Sequence, residues 1–179
     1  MKPWENEPDE DAFVASDLQC RINRTKHSGA LCGYVQVPVD HPLYGLHYGD
    51  TSDALASALE RRKEQPLHST PEFGAMIAVL CGSVDTTPDC AFTVHGGLTF
   101  AGKLCDEDGW WFGFDCAHSG DLAPSDVDRV GVFAPSPCDR YRDMAYVRRE
   151  CESLAAQIHA VPLNIPGDPE PPRADNGGQ

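Results

Sequence analysis

An apolar stripe near the C-terminal end of the chain is the feature that most constrains the fold. Its members recur at spacings of three and four residues, the period of one helix face: Met144, Val147, Cys151, Leu154 and Ile158. Ser136 and Pro137 supply an N-cap and a proline at the first helical position, with Asp139 in the first turn, so the helix is predicted to begin there. Such a helix must bury its stripe against a second layer.

Short β-rich segments predict that second layer. The predicted strands cover residues 30–37, 90–94, 98–103 and 110–116, and the last two form a β-hairpin. A second helix is predicted over 51–64, whereas the apolar run 74–80 fits a buried strand or a short helix equally well. The predicted fold class is α+β, a small and mostly antiparallel sheet packed by the C-terminal amphipathic helix.

The 179 residues suffice for one domain with tails. Residues 1–11 are acidic and contain two prolines, so they are predicted to be a disordered N-terminus. Residues 162–179 hold five prolines and three glycines and are predicted to be a disordered tail. The expected single α+β domain therefore covers residues 12–161.

The net charge of −14 narrows the classes of partner. It disfavours a nucleic-acid binder that neutralises phosphates and a protein that docks on an anionic membrane surface. No apolar run reaches the length of a membrane span, and the first residues lack the apolar core of a secretory signal. We therefore predict a cytoplasmic protein with no nucleic-acid or membrane partner. Its eight cysteines, none in a C-x-x-C pair, are expected to be reduced and mostly buried.

His95 is followed by Gly96 and Gly97 at the start of a predicted strand. Adjacent glycines weaken a strand, so their presence here indicates a specific structural requirement. Either the backbone approaches a ligand closely, or a bulge re-aims a side chain, or the pair is a plain kink beside an exposed histidine.

Polar side chains also crowd the end of the predicted strand 110–116. The segment contains Asp115, Cys116, His118, Ser119 and Asp121 within seven residues. Because the hairpin strands run antiparallel, this strand end lies opposite His95. We therefore expect the two sets of side chains to meet at one end of the sheet.

Several chemistries fit that convergence. In the most concrete one, His95, His118 and Asp115 bind a divalent metal such as Zn, Mn or Fe, and Asp121 acts as the base. These four residues are the candidate catalytic set.

Other interpretations need no metal. Cys116 or Ser119 could be a nucleophile activated by one of the histidines. Two acidic residues and a histidine could instead act as general acid and general base on a bound ligand. The Ser, Gly and Asp residues could equally be ordinary turn-formers.

The aromatic residues suggest a binding surface. Trp110 and Trp111 are adjacent, so they point to opposite faces of the strand; one belongs in the core and the other can form an exposed stacking platform. The predicted ligand-binding set is Gly96, Gly97, Trp111 and Tyr44. Tyr44 lies in the segment 41–45, which either closes over the pocket or packs as a compact surface loop.

Four sequence blocks resemble a family of small uncharacterised proteins of bacteriophages and some bacterial genomes. They are CGYV at 32–35, HPLYG at 41–45, HGGLTF at 95–100 and WWFGFDCAHSGD at 110–121. The resemblance spans about residues 31–158 and continues through Tyr146 and Glu150 of the final helix. It implies a protein that acts inside a bacterial cell, in phage–host conflict, and it transfers no activity and no catalytic residue.

The sequence is thus compatible with two alternative functions for the protein. One is metal-assisted hydrolysis of a small polar ligand, such as a nucleotide, in the His/Asp pocket. The other is a non-enzymatic inhibitor or sequestering protein that acts on a host protein or a metabolite. Whether the chain is an enzyme stays open at this point.

Overall fold

The computed structural model describes residues 2–64, 86–104, 108–127 and 134–163, and one antiparallel sheet forms its centre. The strands are β1 (Glu10–Ala15), β2 (Leu18–Arg24), β3 (Leu31–Val37), β4 (Phe100–Gly102) and β5 (Trp110–Asp115). The helices are α1 (Ala56–Glu64), α2 (Pro88–Ala91) and α3 (Met144–His159), with 3-10 helices at Pro3–Asn6, Asp53–Leu55 and Pro124–Asp126. The strand order is β1-β2-β3-β5-β4, which confirms the predicted α+β class.

Helix α3 packs across β1, β2 and β3. The predicted stripe faces the sheet: Val147, Cys151, Leu154 and Ile158 are fully buried. The helix comes close to the sheet because β3 carries a glycine beneath it. A Cβ atom at Gly33 would lie 2.6 Å from Cys151 Sγ and 2.5 Å from the ring of Phe114. None of the described helices is long and apolar enough to cross a membrane.

Two hairpins build most of the sheet. The predicted pairing of 98–103 with 110–116 is confirmed, since β4 pairs antiparallel with β5. The hairpin of β1 and β2 was not predicted. Its two-residue turn places Ser16 at φ +47° and Asp17 at φ +62°, the left-handed conformations of a type I′ turn. Ser-Asp is not among the strong sequence signals for that turn, which is why the hairpin was missed.

The predicted strand 90–94 is wrong. Pro88–Ala91 is a short helix with Pro88 at its start, and the chain then turns, with Gly97 N donating to Val94 O at 3.0 Å. The apolar residues of this segment pack into the core without pairing in a ladder; Phe92 is 1% exposed. A proline at the first helical position was the signal for this outcome.

The predicted start of the C-terminal helix is also wrong. Ser136–Asp139 forms a turn in which Ser136 N donates to Asp139 Oδ2 at 2.7 Å. Arg140 then pairs with the backbone of the 120–122 segment, which holds the chain extended. The helix begins after Asp143, whose side chain accepts a 2.7 Å bond from Tyr146 N.

The acidic N-terminus differs from the predicted disorder. Glu7 accepts bonds from the hydroxyl of Tyr141 and from Met144 N, and it forms an ion pair with Arg24 at 3.3 Å. These partners come from distant sequence positions, so the composition of residues 1–11 alone could not reveal them. The apolar run 74–80 and residues 164–179 of the predicted tail lie outside the described residues.

The 38–50 segment packs on the core as a loop. Leu43 is fully buried, and the ring of His41 lies between Leu43 N, 3.2 Å from Nδ1, and Ile158 O, 3.3 Å from Nε2. Of the two interpretations of this segment, a closing lid or a packed loop, the structure shows the packed loop.

We expect Gly33→Ala to lower the free energy of unfolding by about 1–3 kcal/mol, because the added methyl group overpacks the contact between α3 and the sheet. Gly102→Ala in β4 is the matched control. Its Cβ would lie 3.5 Å from Phe100, an ordinary contact, so stability should stay the same or rise slightly. Urea denaturation of both variants measures the difference, and equal losses would contradict the close packing at Gly33.

Burial lowers the pKa of His41 below its ordinary value of 6.5. Below pH 6.5 the unfolded chain therefore takes up a proton that the native chain does not. The free energy of unfolding should decrease as the pH is lowered from 6.5, until the pH passes below the pKa of His41 in the native chain. His41→Gln should lose this part of the slope. Urea denaturation at several pH values between 7.5 and 5 tests it, and identical slopes for both proteins would show that His41 does not contribute.

Candidate functional site

The glycine pair forms a turn that brings two histidines together. Gly96 and Gly97 have φ values of +68° and +85°, the left-handed region that glycine adopts without strain. A Cβ atom at Gly96 would lie 2.2 Å from Cε1 of His118, so the imidazole packs directly on the glycine backbone. The rings of His95 and His118 are 5.8 Å apart. The predicted convergence of the two segments is therefore present, and His118 is the group that needs the close approach at Gly96.

His95 is buried and held from three directions. Its Nε2 lies 2.7 Å from Asp121 Oδ2, and its Nδ1 lies 3.0 Å from the hydroxyl of Tyr146. Its backbone N–H donates to Glu150 Oε2 at 2.9 Å. Tyr146 and Glu150 are four residues apart on α3, so one face of the helix supplies both contacts.

Asp121 is the centre of the site. Its side chain is 1% exposed, and Oδ1 accepts a 2.7 Å bond from Arg142 Nε, while Oδ2 accepts from His118 N at 3.1 Å. Burial alone would raise the pKa of this carboxyl, but the hydrogen bonds from His95 and Arg142 outweigh it and hold the pKa below its usual value. Asp121 is therefore an ionised carboxylate at neutral pH.

The Nδ1 atom of His118 has a different environment. It is buried and has no hydrogen-bond partner among the described residues. Asp115 Oδ1 lies 3.7 Å away and Asp121 Oδ2 lies 3.9 Å away, both too far for a hydrogen bond. The rest of the ring is about one-third exposed. An unpartnered nitrogen aimed at carboxylate oxygens is the arrangement that a shared cation would complete.

The structure changes the predicted ligand set. His95, His118 and Asp121 each offer one ligand atom, and these atoms lie within 4.8 Å of one another. Asp115, predicted as the third ligand, instead stabilises a turn: it accepts from Thr99 Oγ1 at 2.9 Å and from Ala117 N at 3.0 Å. Asp121, predicted as the base, is thus the carboxylate of the cluster that could hold a metal ion, and Asp115 lies beside it, with its side chain one-third exposed.

The other predicted groups do not join the cluster. Trp111 is 1% exposed, so it is not a stacking platform. Tyr44 packs near Trp110, the first residue of β5. Asp115 is the last residue of that strand, five residues or about 17 Å from Trp110.

The thiol interpretation also fails on burial. Cys116 is 3% exposed, and burial raises the pKa of its thiol well above the usual range, so it stays protonated. Ser119 is exposed in the turn between His118 and Asp121, and its hydroxyl makes no hydrogen bond within the described part of the chain.

Arg142, Tyr146 and Glu150 were not predicted as site residues. They recur four residues apart beside the apolar stripe: Arg142 precedes α3, Tyr146 lies in its first turn and Glu150 lies in its second. Polar residues that recur with this period on a core-facing helix were the available signal.

Comparison of the chain with protein-family models, curated proteins and solved structures finds no match. The resemblance to phage proteins therefore stays a prediction, and a functional conclusion must come from the site.

Gly96→Ala and Gly97→Ala should have different effects on the site. Each places a side chain at positive φ, at a cost of about 1–2 kcal/mol. Only the first also displaces the imidazole of His118, because nothing lies within 4 Å of a Cβ at Gly97. NMR of the histidine ring protons should therefore show a shifted His118 in Gly96→Ala alone, with a larger loss of stability. Equal shifts in the two variants would contradict the contact.

Proposed function

We propose that the protein is a metal-dependent hydrolase of the bacterial cytoplasm, in which His95, His118 and Asp121 bind a divalent cation, with Zn²⁺ the best fit. The observation that carries the proposal is the unpartnered Nδ1 of His118, which faces a carboxylate already held by other groups. Two histidines and one carboxylate are a common catalytic zinc set, with a remaining position for water.

The surrounding residues support this assignment. A histidine that binds a metal through one nitrogen commonly donates its other N–H to an outer partner, and the hydroxyl of Tyr146 lies in that position. A ligating carboxylate is usually hydrogen-bonded through its second oxygen, as Asp121 is to Arg142. These partners fix the orientation of two of the three ligands before any cation binds.

Metal binding requires small side-chain shifts. Two ligands of a tetrahedral Zn²⁺ lie about 3.3 Å apart. The 2.7 Å hydrogen bond between His95 Nε2 and Asp121 Oδ2 must therefore open, and the 3.9 Å gap between Asp121 Oδ2 and His118 Nδ1 must close. The cation takes the place of the proton that His95 shares with Asp121.

When bound, such a cation lowers the pKa of its water to about 7 and makes hydroxide available. A second carboxylate, that of Asp115, would accept a proton from that water. Its side chain is one-third exposed, and its Oδ1 lies 3.7 Å from His118 Nδ1. We assign it the role of general base, in place of Asp121.

His118→Ala tests the metal site. Zn²⁺ affinity, measured by titration calorimetry on the full chain, should fall at least about 100-fold, since loss of an outer-shell partner alone costs 10–100-fold. The metal-free variant should remain folded, because the partly exposed imidazole loses packing against Gly96 but no hydrogen bond at Nδ1. His27→Ala, which removes an exposed histidine elsewhere, is the control.

The same samples test turnover. Hydrolysis of p-nitrophenyl phosphate or p-nitrophenyl acetate should disappear with EDTA, return with Zn²⁺ and be absent in His118→Ala. Tight Zn²⁺ binding without any hydrolysis would favour the alternative of a sequestering protein. Equal Zn²⁺ affinity of His118→Ala and His27→Ala would contradict the site itself.

A further inference from the structure

Two arginines flank the candidate site on the side of Tyr146. The guanidinium carbon of Arg142 lies 4.8 Å from the centre of the Tyr146 ring, and that of Arg149 lies 5.9 Å from it. The hydroxyl of the same tyrosine contacts His95. Cation–π contacts with Tyr146 therefore keep two guanidinium groups near His95, one of the residues that would bind the cation.

Arg142 has unused hydrogen-bond donors. Its Nε–H donates to Asp121 Oδ1, and no described residue accepts from its two terminal nitrogens. The side chain is 26% exposed, so these nitrogens can reach a ligand. The carboxylate of Asp121 joins the two halves of the site, since one oxygen faces His95 and the other faces Arg142.

Arg149 is exposed and forms no ion pair within the described ranges. Its neighbour Arg148 differs: it lies 3.4 Å from Asp11 Oδ2 and stacks on Phe13, on the β1 side of the helix. Arg24 is likewise neutralised, by Glu7 and Asp9. Arg140 also lacks a carboxylate partner among the described residues, but its guanidinium donates to Pro137 O and Asp139 O, whereas Arg149 lies beside the ring of Tyr146.

We propose that Arg142 and Arg149 form the anion-binding half of the site and select substrates that carry a phosphate group. This inference rests on the proposed function for the cleavage step, but the arginine geometry does not depend on a metal. Guanidinium groups match the oxygens of a phosphate through paired N–H donors, and arginine clamps stabilise charge on a reacting phosphoryl group. The substrate class is therefore a small phosphate ester, such as a nucleotide or a sugar phosphate.

Arg149→Gln is the informative variant, because Arg142 also holds Asp121 in place. With the metal-free full chain, inorganic phosphate should bind saturably in an NMR titration at constant ionic strength. Arg149→Gln should weaken this binding about tenfold, equivalent to about 1.4 kcal/mol. Arg148→Gln removes the same charge one residue away and should leave the phosphate affinity unchanged. Equal losses in the two variants, or no loss in either, would overturn the proposal.

A second measurement separates this proposal from the hydrolase assignment. In the Zn²⁺-loaded protein, Arg149→Gln should raise KM for p-nitrophenyl phosphate by a larger factor than KM for the uncharged p-nitrophenyl acetate. If the phosphate titration behaves as expected and neither ester is cleaved, the anion site stands and the hydrolase assignment fails. If both esters are cleaved and Arg149→Gln affects them equally, the hydrolase stands and the phosphate selectivity fails.

Discussion

The close contact between α3 and the sheet positions everything else in the described fold. Gly33 leaves room for Cys151 on the helix and for the ring of Phe114 from the neighbouring strand. This contact buries the apolar stripe, which is the main source of stability for a helix of this kind. It also sets the height and rotation of α3, and Tyr146 and Glu150 reach His95 from that same helix. The site therefore depends on a packing contact made by residues that take no part in its polar chemistry.

Periodic elements were predictable from the sequence, and elements defined by long-range pairing were not. The stripe of α3 and the β4–β5 hairpin follow from local patterns, so they were found. The start of α3 was misplaced because Ser136 and Pro137 form a good helix-start signal that the chain uses for a turn. Arg140 pairs with the distant 120–122 segment, and that pairing outweighs the local signal. Glu7 shows the same limit at the N-terminus, since its partners lie more than one hundred residues away in Tyr141 and Met144.

Within the site, topology predicted the convergence but not the choice of carboxylate. The antiparallel hairpin places His95 near the end of β5, and the structure shows its ring beside that of His118. Asp115 and Asp121 looked equivalent in sequence. Asp115 is the last residue of β5 and accepts a hydrogen bond from the backbone of the next turn, whereas Gly120, at φ +92°, turns the chain so that Asp121 points inward. The four-residue spacing of Arg142 and Tyr146 was visible in the sequence, but their contacts with Asp121 and His95 depend on how the helix packs, so a local pattern could not show them.

The hydroxyl of Tyr146 is compatible with His95 both as the structure shows it and with the proposed cation bound. Because Asp121 is ionised, Nε2 of His95 carries the proton in the bond that joins them, and in the neutral imidazole Nδ1 accepts from the tyrosine O–H. If a cation takes the Nε2 position, the remaining proton must reside on Nδ1, which then donates to the tyrosine oxygen. A hydroxyl is both donor and acceptor, so Tyr146 satisfies either tautomer without moving. A phenylalanine at this position would leave Nδ1 without that partner in both states, and a carboxylate would suit only the second. Under the proposed function, Tyr146 would therefore suit an exchange of proton for metal at His95, and Arg142 and Arg149 would lie beside it to hold an anionic substrate.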